Sequence, residues 1–188
     1  MGWLLLVLQI LFWSPMAFRV LTRKTPETTF GDELATSFRS AGLILYELGL
    51  ALIWIGLGLA AYRGSLNQAV TLRGQIGALL HIVATALFAW GIAAHRSWNM
   101  DARLEPDHQL CTVGPYRFVR HPIYLAFNLL AIGAVVWVSN VAVIVGALLL
   151  VVGGDVRARA EERILSDKFG EQYRAYMRRV NRAIPGIY

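Results

Sequence analysis

The chain has 188 residues, 56% of them hydrophobic and 16% charged, with a mean hydropathy of +0.50. That apolar share exceeds what a soluble domain of this length carries and makes a membrane its natural solvent. The net charge of +6 does not imply nucleic acid, because basic residues gathered on one membrane face serve topology and attraction to anionic lipid.

Four apolar stretches follow in chain order. Gly2–Phe18 holds no charge, Ala41–Tyr62 only Glu47, Gly74–Ala94 only His81, and Pro122–Gly154 none. A helix needs about 20 residues to cross the hydrocarbon, so the first three read as single spans. The fourth is too long for one span and is divided by Ser139-Asn140 into a helical hairpin, with arms Pro122–Val138 and Val141–Gly154. Its second arm is expected to continue as helix through Asp155–Ala160, with Arg157 and Arg159 snorkelling to the interface. The expectation is an all-α integral membrane protein with five transmembrane helices and a C-terminal cytoplasmic amphipathic helical region. It forms one membrane domain over 1–188, with three spans in 1–94 and the chemistry-bearing half in 95–188.

Orientation follows from the basic residues. Segments Arg19–Ser40, His95–His121 and Asp155–Tyr188 share one side and hold 4, 4 and 8 Lys/Arg, which is 16 of the chain's 18. Those segments are therefore read as cytoplasmic and the N-terminus as outside. The first apolar run lacks a basic segment before it and has Arg19, Arg23 and Lys24 after it, so it reads as a retained span.

Beyond Gly154 the pattern is helical, with a break near Phe169-Gly170. A second amphipathic helix would place Tyr173, Tyr176, Met177, Val180 and Ile184 on one stripe and Arg174, Arg178 and Arg182 on another face, ending at Pro185.

The densest chemistry is Gly114-Pro-Tyr-Arg-Phe-Val-Arg-His-Pro-Ile-Tyr124, where a loop meets the hairpin. Pro122 suits a first helical turn. His121, Tyr124 and Asn128, at spacings of 3 and 4, share one helix face and read as a ligand pocket extending into the bilayer. Glu161-Glu162 stands past the hairpin's exit; adjacent residues point about 100° apart, so only one is expected to face the pocket. Glu47, about two turns inside its span, is a costly carboxylate that either makes a structural polar contact or lines a substrate cavity with Asn128. His81 reads as a structural hydrogen bond, and Gly56 and Gly58 as helix-packing residues. Cys111 is the one cysteine and the four histidines form no short-spaced pair, so neither a disulfide nor a metal site is expected.

These residues resemble the isoprenylcysteine carboxyl methyltransferase family, with its prokaryotic relatives and the phospholipid methyltransferases. The family's pattern is Arg-His-Pro-x-Tyr, a hydrophobic stretch, then Glu-Glu, matched by Arg120-His121-Pro122-Ile123-Tyr124 and Glu161-Glu162. Gly114-Pro115-Tyr116 upstream, and Phe169-Gly170-x-x-Tyr173-x-x-Tyr176 with Ile184-Pro185 downstream, agree; Ala126 stands where relatives commonly have Gly. The likeness covers roughly Leu110–Tyr188. It implies S-adenosyl-L-methionine as cofactor, held by Tyr116, His121, Pro122, Tyr124, Glu161, Glu162, Tyr173 and Tyr176. It also implies a lipophilic acceptor, with prenylcysteine carboxylate, a phospholipid amine and a small thiol or other lipophile all compatible and the first preferred; Arg120, Glu162 and Arg179 are read as catalytic. Arg179 is preferred to Arg178 and Arg182 because it follows Tyr176 by three and lies near the apolar stripe.

Two other classes compete. Membrane sterol reductases, which use NADPH, share a His-Pro-x-Tyr turn and an ending similar to Ile184-Pro185-Gly186-Ile187-Tyr188, but have more spans. A non-enzymatic membrane protein or transporter would carry charges deep in several spans, where only Glu47 fits.

Overall fold

The computed structural model describes residues 3–22, 33–95 and 110–184, and the side chains of 19, 20, 22 and 33–40 are outside the description. His108, most of the loop before Leu110, and the Pro185–Tyr188 ending therefore lie outside the described residues. Six α-helices follow in order: α1 (Trp3–Thr22), α2 (Glu33–Tyr62), α3 (Leu72–Ala94), α4 (Pro122–Trp137), α5 (Val141–Phe169) and α6 (Glu171–Arg179). A 3-10 turn, Gly114–Arg117, precedes α4. Among the described residues there is no strand, only one parallel bridge between Val119 and Asn181.

Among the described residues, three segments are long and apolar enough to cross a membrane: Ala41–Tyr62, Leu72–Ala94 and Val141–Phe169. Trp3–Phe18 and Pro122–Trp137 are apolar but shorter. The helix limits have local causes. Thr71 caps α3 by accepting from the Gly74 N–H at 3.1 Å. Pro122 opens α4, where its missing N–H leaves nothing unpaired. Asn140 caps α5 by accepting from the Val143 N–H at 3.0 Å, and its own amide donates to the Gly56 carbonyl at 2.8 Å. One side chain thus starts a helix and fixes the hairpin turn to α2. Gly170, at φ 53°, stops α5 in the left-handed region that glycine enters without strain.

The hairpin's second arm continues as helix past Gly154 and breaks at Phe169-Gly170, as expected. α5 runs to Phe169, so a single helix carries both the apolar face and the glutamate pair. Arg157 does not snorkel outward; its Nε donates to the Tyr124 hydroxyl at 3.1 Å and its guanidinium lies 5.6 Å from the Tyr46 ring centre.

α2 and α5 pack most extensively, followed by α3 and α4. Gly42 and Gly49, seven residues apart on α2, face Gly153 and Gly146 on α5. A Cβ on Gly49 would sit 2.6 Å from the Leu150 nitrogen, so the backbones touch and their dispersion contacts replace side-chain packing. Gly56 packs as expected, against Val143 and Asn140, whereas Gly58 faces open space.

Phe12 (α1), Phe88 (α3) and Phe127 (α4) form an aromatic centre, with ring centroids 4.8 to 5.3 Å apart. Tyr46 of α2 joins it at 5.5 Å from Phe127. His81 is fully buried, with Nδ1 2.7 Å from the Gly77 carbonyl and Nε2 3.2 Å from the Gln9 amide nitrogen. Nδ1–H donates and Nε2 accepts, which assigns a neutral tautomer and a structural role.

Candidate active site at the mouth of the α4–α5 hairpin

Because α4 and α5 are antiparallel arms of one hairpin, the start of α4 and the end of the apolar part of α5 return to the same level. That return brings Arg120 and His121 onto Glu161 and Glu162. The Arg120 Nε and Nη2 donate to Glu162 Oε1 at 3.0 and 2.8 Å. His121 Nε2 lies 3.3 Å from Glu162 Oε1, and Nδ1 lies 3.6 Å from Glu161 Oε2. Tyr124 donates its hydroxyl to Glu161 Oε1 at 2.5 Å.

Both glutamates therefore engage, contrary to the expectation that only one would. The His121 ring sits between them and meets one carboxylate at each nitrogen, so the 100° divergence becomes a cradle. The side chains of His121 and Glu162 are only 6% and 9% exposed. Burial alone pulls the imidazole's pKa down. Its hydrogen bonds and attraction to Glu161 and Glu162 outweigh that, and the pKa lies above the ordinary 6.5. An imidazolium that donates from Nε2 to Glu162 and is ion-paired at Nδ1 with Glu161 fits this geometry.

The C-terminal segment completes the site in an unexpected way. The amphipathic stripe predicted helix through Ile184, but α6 ends at Arg179 and Val180 is extended, at φ −125° and ψ 127°. Two groups capture the chain there. Arg120 Nη1 donates to the carbonyls of Met177 and Val180 at 3.2 and 2.5 Å, satisfying acceptors that a helix end leaves open. The backbone N–H groups of Arg120 and His121 donate to the carbonyls of Asn181 and Arg182 at 2.8 and 3.0 Å.

The extended turn reverses the expected order of the arginines. Arg182 swings onto the cluster, with Nε 3.0 Å from Glu162 Oε1, Nη2 2.6 Å from Oε2, and Nη1 3.3 Å from Asp155 Oδ1. Arg179 is exposed and its Nε donates to the Ala175 carbonyl at 3.3 Å; it takes no part in the cluster. Arg174 and Arg178 are exposed and pair with Glu171. Sequence reasoning passed over Arg182 because it was placed on a helical stripe. The signal against that helix was present in the β-branched Val180, Asn181 and the Pro185 that disfavours helix just before it.

The remaining tyrosines pack beneath the site. Tyr173 and Tyr176 are buried, and Tyr176 donates its hydroxyl to the Tyr116 carbonyl at 2.6 Å, fastening α6 to the 3-10 turn. Burial, then the Glu162 charge, raises the Tyr173 phenol above its ordinary range, and burial does the same at Tyr176. Asn128 lies on the His121–Tyr124 face, and its Oδ1 is buried without a hydrogen-bond partner. Glu47 is exposed on α2; its neighbour Tyr46 is the residue that turns inward, 6.0 Å from the Tyr124 ring. An open groove of about 530 Å³ borders the cluster, lined by Glu162, Arg182, Met177, Ser166, Arg159, Arg163 and Asp167.

Residues 77–167 match the model of the family described as "Isoprenylcysteine carboxyl methyltransferase (ICMT) family". The match begins in α3, upstream of Leu110, and stops before the Phe169-Gly170 signature. A protein-S-isoprenylcysteine O-methyltransferase of Schizosaccharomyces pombe is 37% identical over 82 residues, 43% of this chain and 35% of the relative. Protein-S-isoprenylcysteine O-methyltransferase B of Arabidopsis thaliana is 34% identical over 99 residues, 51% of this chain and 50% of the relative. The Saccharomyces cerevisiae enzyme of the same name is 32% identical over 127 residues, 65% of this chain and 53% of the relative. The chain thus spans about a third to a half of the length of these curated relatives. The matched segment contains Arg120, His121, Tyr124, Glu161 and Glu162, so the similarity to the isoprenylcysteine carboxyl methyltransferase family extends over the residues that build the buried ionic cluster.

Proposed function

We propose that the chain is an S-adenosylmethionine-dependent methyltransferase working where the membrane meets the cytoplasm, and that it methylates the carboxylate of a lipophilic, prenylcysteine-type acceptor. The observation that carries this reading is the closure of Arg120-His121 on Glu161-Glu162 across the hairpin. The relatives' names, protein-S-isoprenylcysteine O-methyltransferases, support the choice of acceptor. In this reading α1 to α5 all span the bilayer, and the side rich in Lys/Arg, which holds the cluster and α6, is cytoplasmic.

The donor set fits such a cofactor. Glu161, with 25% of its side chain exposed, keeps a carboxylate at the rim that suits a ribose hydroxyl or an ammonium group. In this reading Tyr124, whose ring lies 5.7 Å from the His121 ring and already carries the Arg157 guanidinium at 6.0 Å, supplies an aromatic face to a cation, Tyr116, Tyr173 and Tyr176 supply further aromatic surface, and Pro122 fixes where α4 begins. The groove's size lies within the range of small-molecule sites, about 300–1,000 Å³. Held by Glu161, Tyr124 and His121, the cofactor would supply an electrophilic methyl group on a sulfonium.

A carboxylate acceptor is ionised at neutral pH and needs orientation rather than a general base. Glu162 holds the forks of Arg120 and Arg182 in place, and Arg182, at the groove, orients the acceptor carboxylate. Asn128 lies along the acceptor's path.

The deciding experiment offers labelled S-adenosylmethionine with prenylcysteine, lipid-amine and thiol acceptors to the purified protein. Label is expected in a base-labile methyl ester of the prenylcysteine. Saturable NADPH binding, with no response to S-adenosylmethionine or its demethylated product, would overturn the reading.

A further inference from the structure

Almost every buried polar side chain described in the bundle has an identified partner. Gln9 meets His81, Asn140 meets Gly56 and Val143, and the Trp137 indole donates to the Leu66 carbonyl at 3.1 Å. The Trp13 indole N–H and His95 Nδ1 also lack a hydrogen bond, Trp13 in a T-shaped ring contact with Phe127 at 5.5 Å and His95 beside the Tyr116 ring. Asn128 differs from both in lying on the His121–Tyr124 face of α4. Its Oδ1 is sealed and unpartnered in a region where hydrocarbon supplies no donor.

The position of that oxygen gives it a use. His121, Tyr124 and Asn128 follow at spacings of 3 and 4 on one face of α4, and Asn128 lies about 6 Å deeper than Tyr124 along the axis. Side chains on a helix lean toward its N-terminus, which here is the mouth, so the Asn128 amide leans toward the cluster. The Tyr124 hydroxyl is already engaged with Glu161 and Arg157. The first unmet polar atom below the cluster is therefore an acceptor, and it sits where a lipophilic ligand with its carboxylate at the mouth would extend.

We infer that Asn128 is a specificity residue for the methyl acceptor, its side-chain oxygen taking a hydrogen bond from an N–H or O–H group that the acceptor carries beside its carboxylate. The identity of the ligand rests on the methyltransferase reading; the contact is argued from the orphaned oxygen.

The test is equilibrium binding to the full chain in detergent. Three prenyl-thioether carboxylates are compared, whose carbon next to the carboxyl carbon bears an acylamino N–H, bears a hydroxyl, or is an unsubstituted methylene. Wild type is expected to bind the better of the two donor compounds about tenfold more tightly than the methylene compound, the usual effect of one neutral hydrogen bond. The amide and hydroxyl arms show which donor is meant. Asn128→Leu should bind all three alike, and Asn128→Gln, which keeps an acceptor oxygen, should retain part of the preference. Equal affinities in wild type, or an undiminished preference in Asn128→Leu, would overturn the inference. So would uniformly tighter binding of all three by Asn128→Leu, which would mean that the oxygen holds only water. Failure of methyl transfer from labelled cofactor, with the binding preference intact, would count against the methyltransferase reading and not against this contact.

Discussion

Two buried histidines divide the molecule's polar chemistry between two regions. His81, in the middle of α3, is satisfied by one carbonyl and one amide and is neutral. His121, at the start of α4, lies between two carboxylates, one of which, Glu162, is also held by Arg120 and Arg182. The first arrangement closes on itself, and the second ends at a groove. A buried histidine is thus structural or site-forming according to whether its partners carry charge and reach an opening, which residue type alone does not reveal.

The largest expected effect comes from removing the hub of the charged region. Glu162→Ala leaves Arg120, Arg182 and His121 facing one another without their shared carboxylate, an uncompensated charge that costs about 3–5 kcal/mol. Thermal unfolding in detergent should show a large drop; an unchanged midpoint would mean that the cluster is hydrated and loosely held. Next, Arg182→Ala removes a bidentate contact and should lose about 1.5–3 kcal/mol, together with acceptor affinity. Arg179→Ala, at an exposed position, should change neither. Equal losses in the two would return Arg179 to the site.

The neutral region should respond differently. His81→Leu orphans the Gln9 amide and should cost about 1–3 kcal/mol, and adding Gln9→Leu should recover much of it, since two apolar partners leave nothing unpaired. A double variant as unstable as the single one would show that His81 contributes by its shape. The smallest effect is the dependence on pH. The folded-state pKa of His121 is raised, so its stabilising contribution is fully present below about 6.5 and is lost as pH rises through that raised value. His121→Gln should flatten the alkaline side of the stability profile; a wild-type profile already flat there would refute the imidazolium.

Arg120-His121-Pro122-x-Tyr124 and Glu161-Glu162 were legible because the signal is local: apolar runs give helices, Pro122 gives a start, and a hairpin must return its ends to one level. The glycines of α2 and α5 were read only in part. Gly56 and Gly58 look alike in sequence, and only the path of α5 makes one a contact and leaves the other open. Glu47 was misleading for a similar reason, since depth in a span says nothing about which way a helix face turns until its partner helix is known.

By itself the sequence determined the apolar helices, the Asn140 turn, the Gly170 stop and the identity of the residues gathered at the hairpin's mouth, because each follows from propensity, capping or hydrophobic run length. Only the tertiary structure decided that both glutamates share His121, that α6 ends at Arg179, and that Arg182 rather than Arg179 reaches Glu162. The physical reason is one competition. From Val180 onward the backbone could continue as helix, bonded to itself, or accept hydrogen bonds from Arg120 and His121 some 60 residues earlier in the chain. Those donors exist only once the hairpin has closed and placed them there.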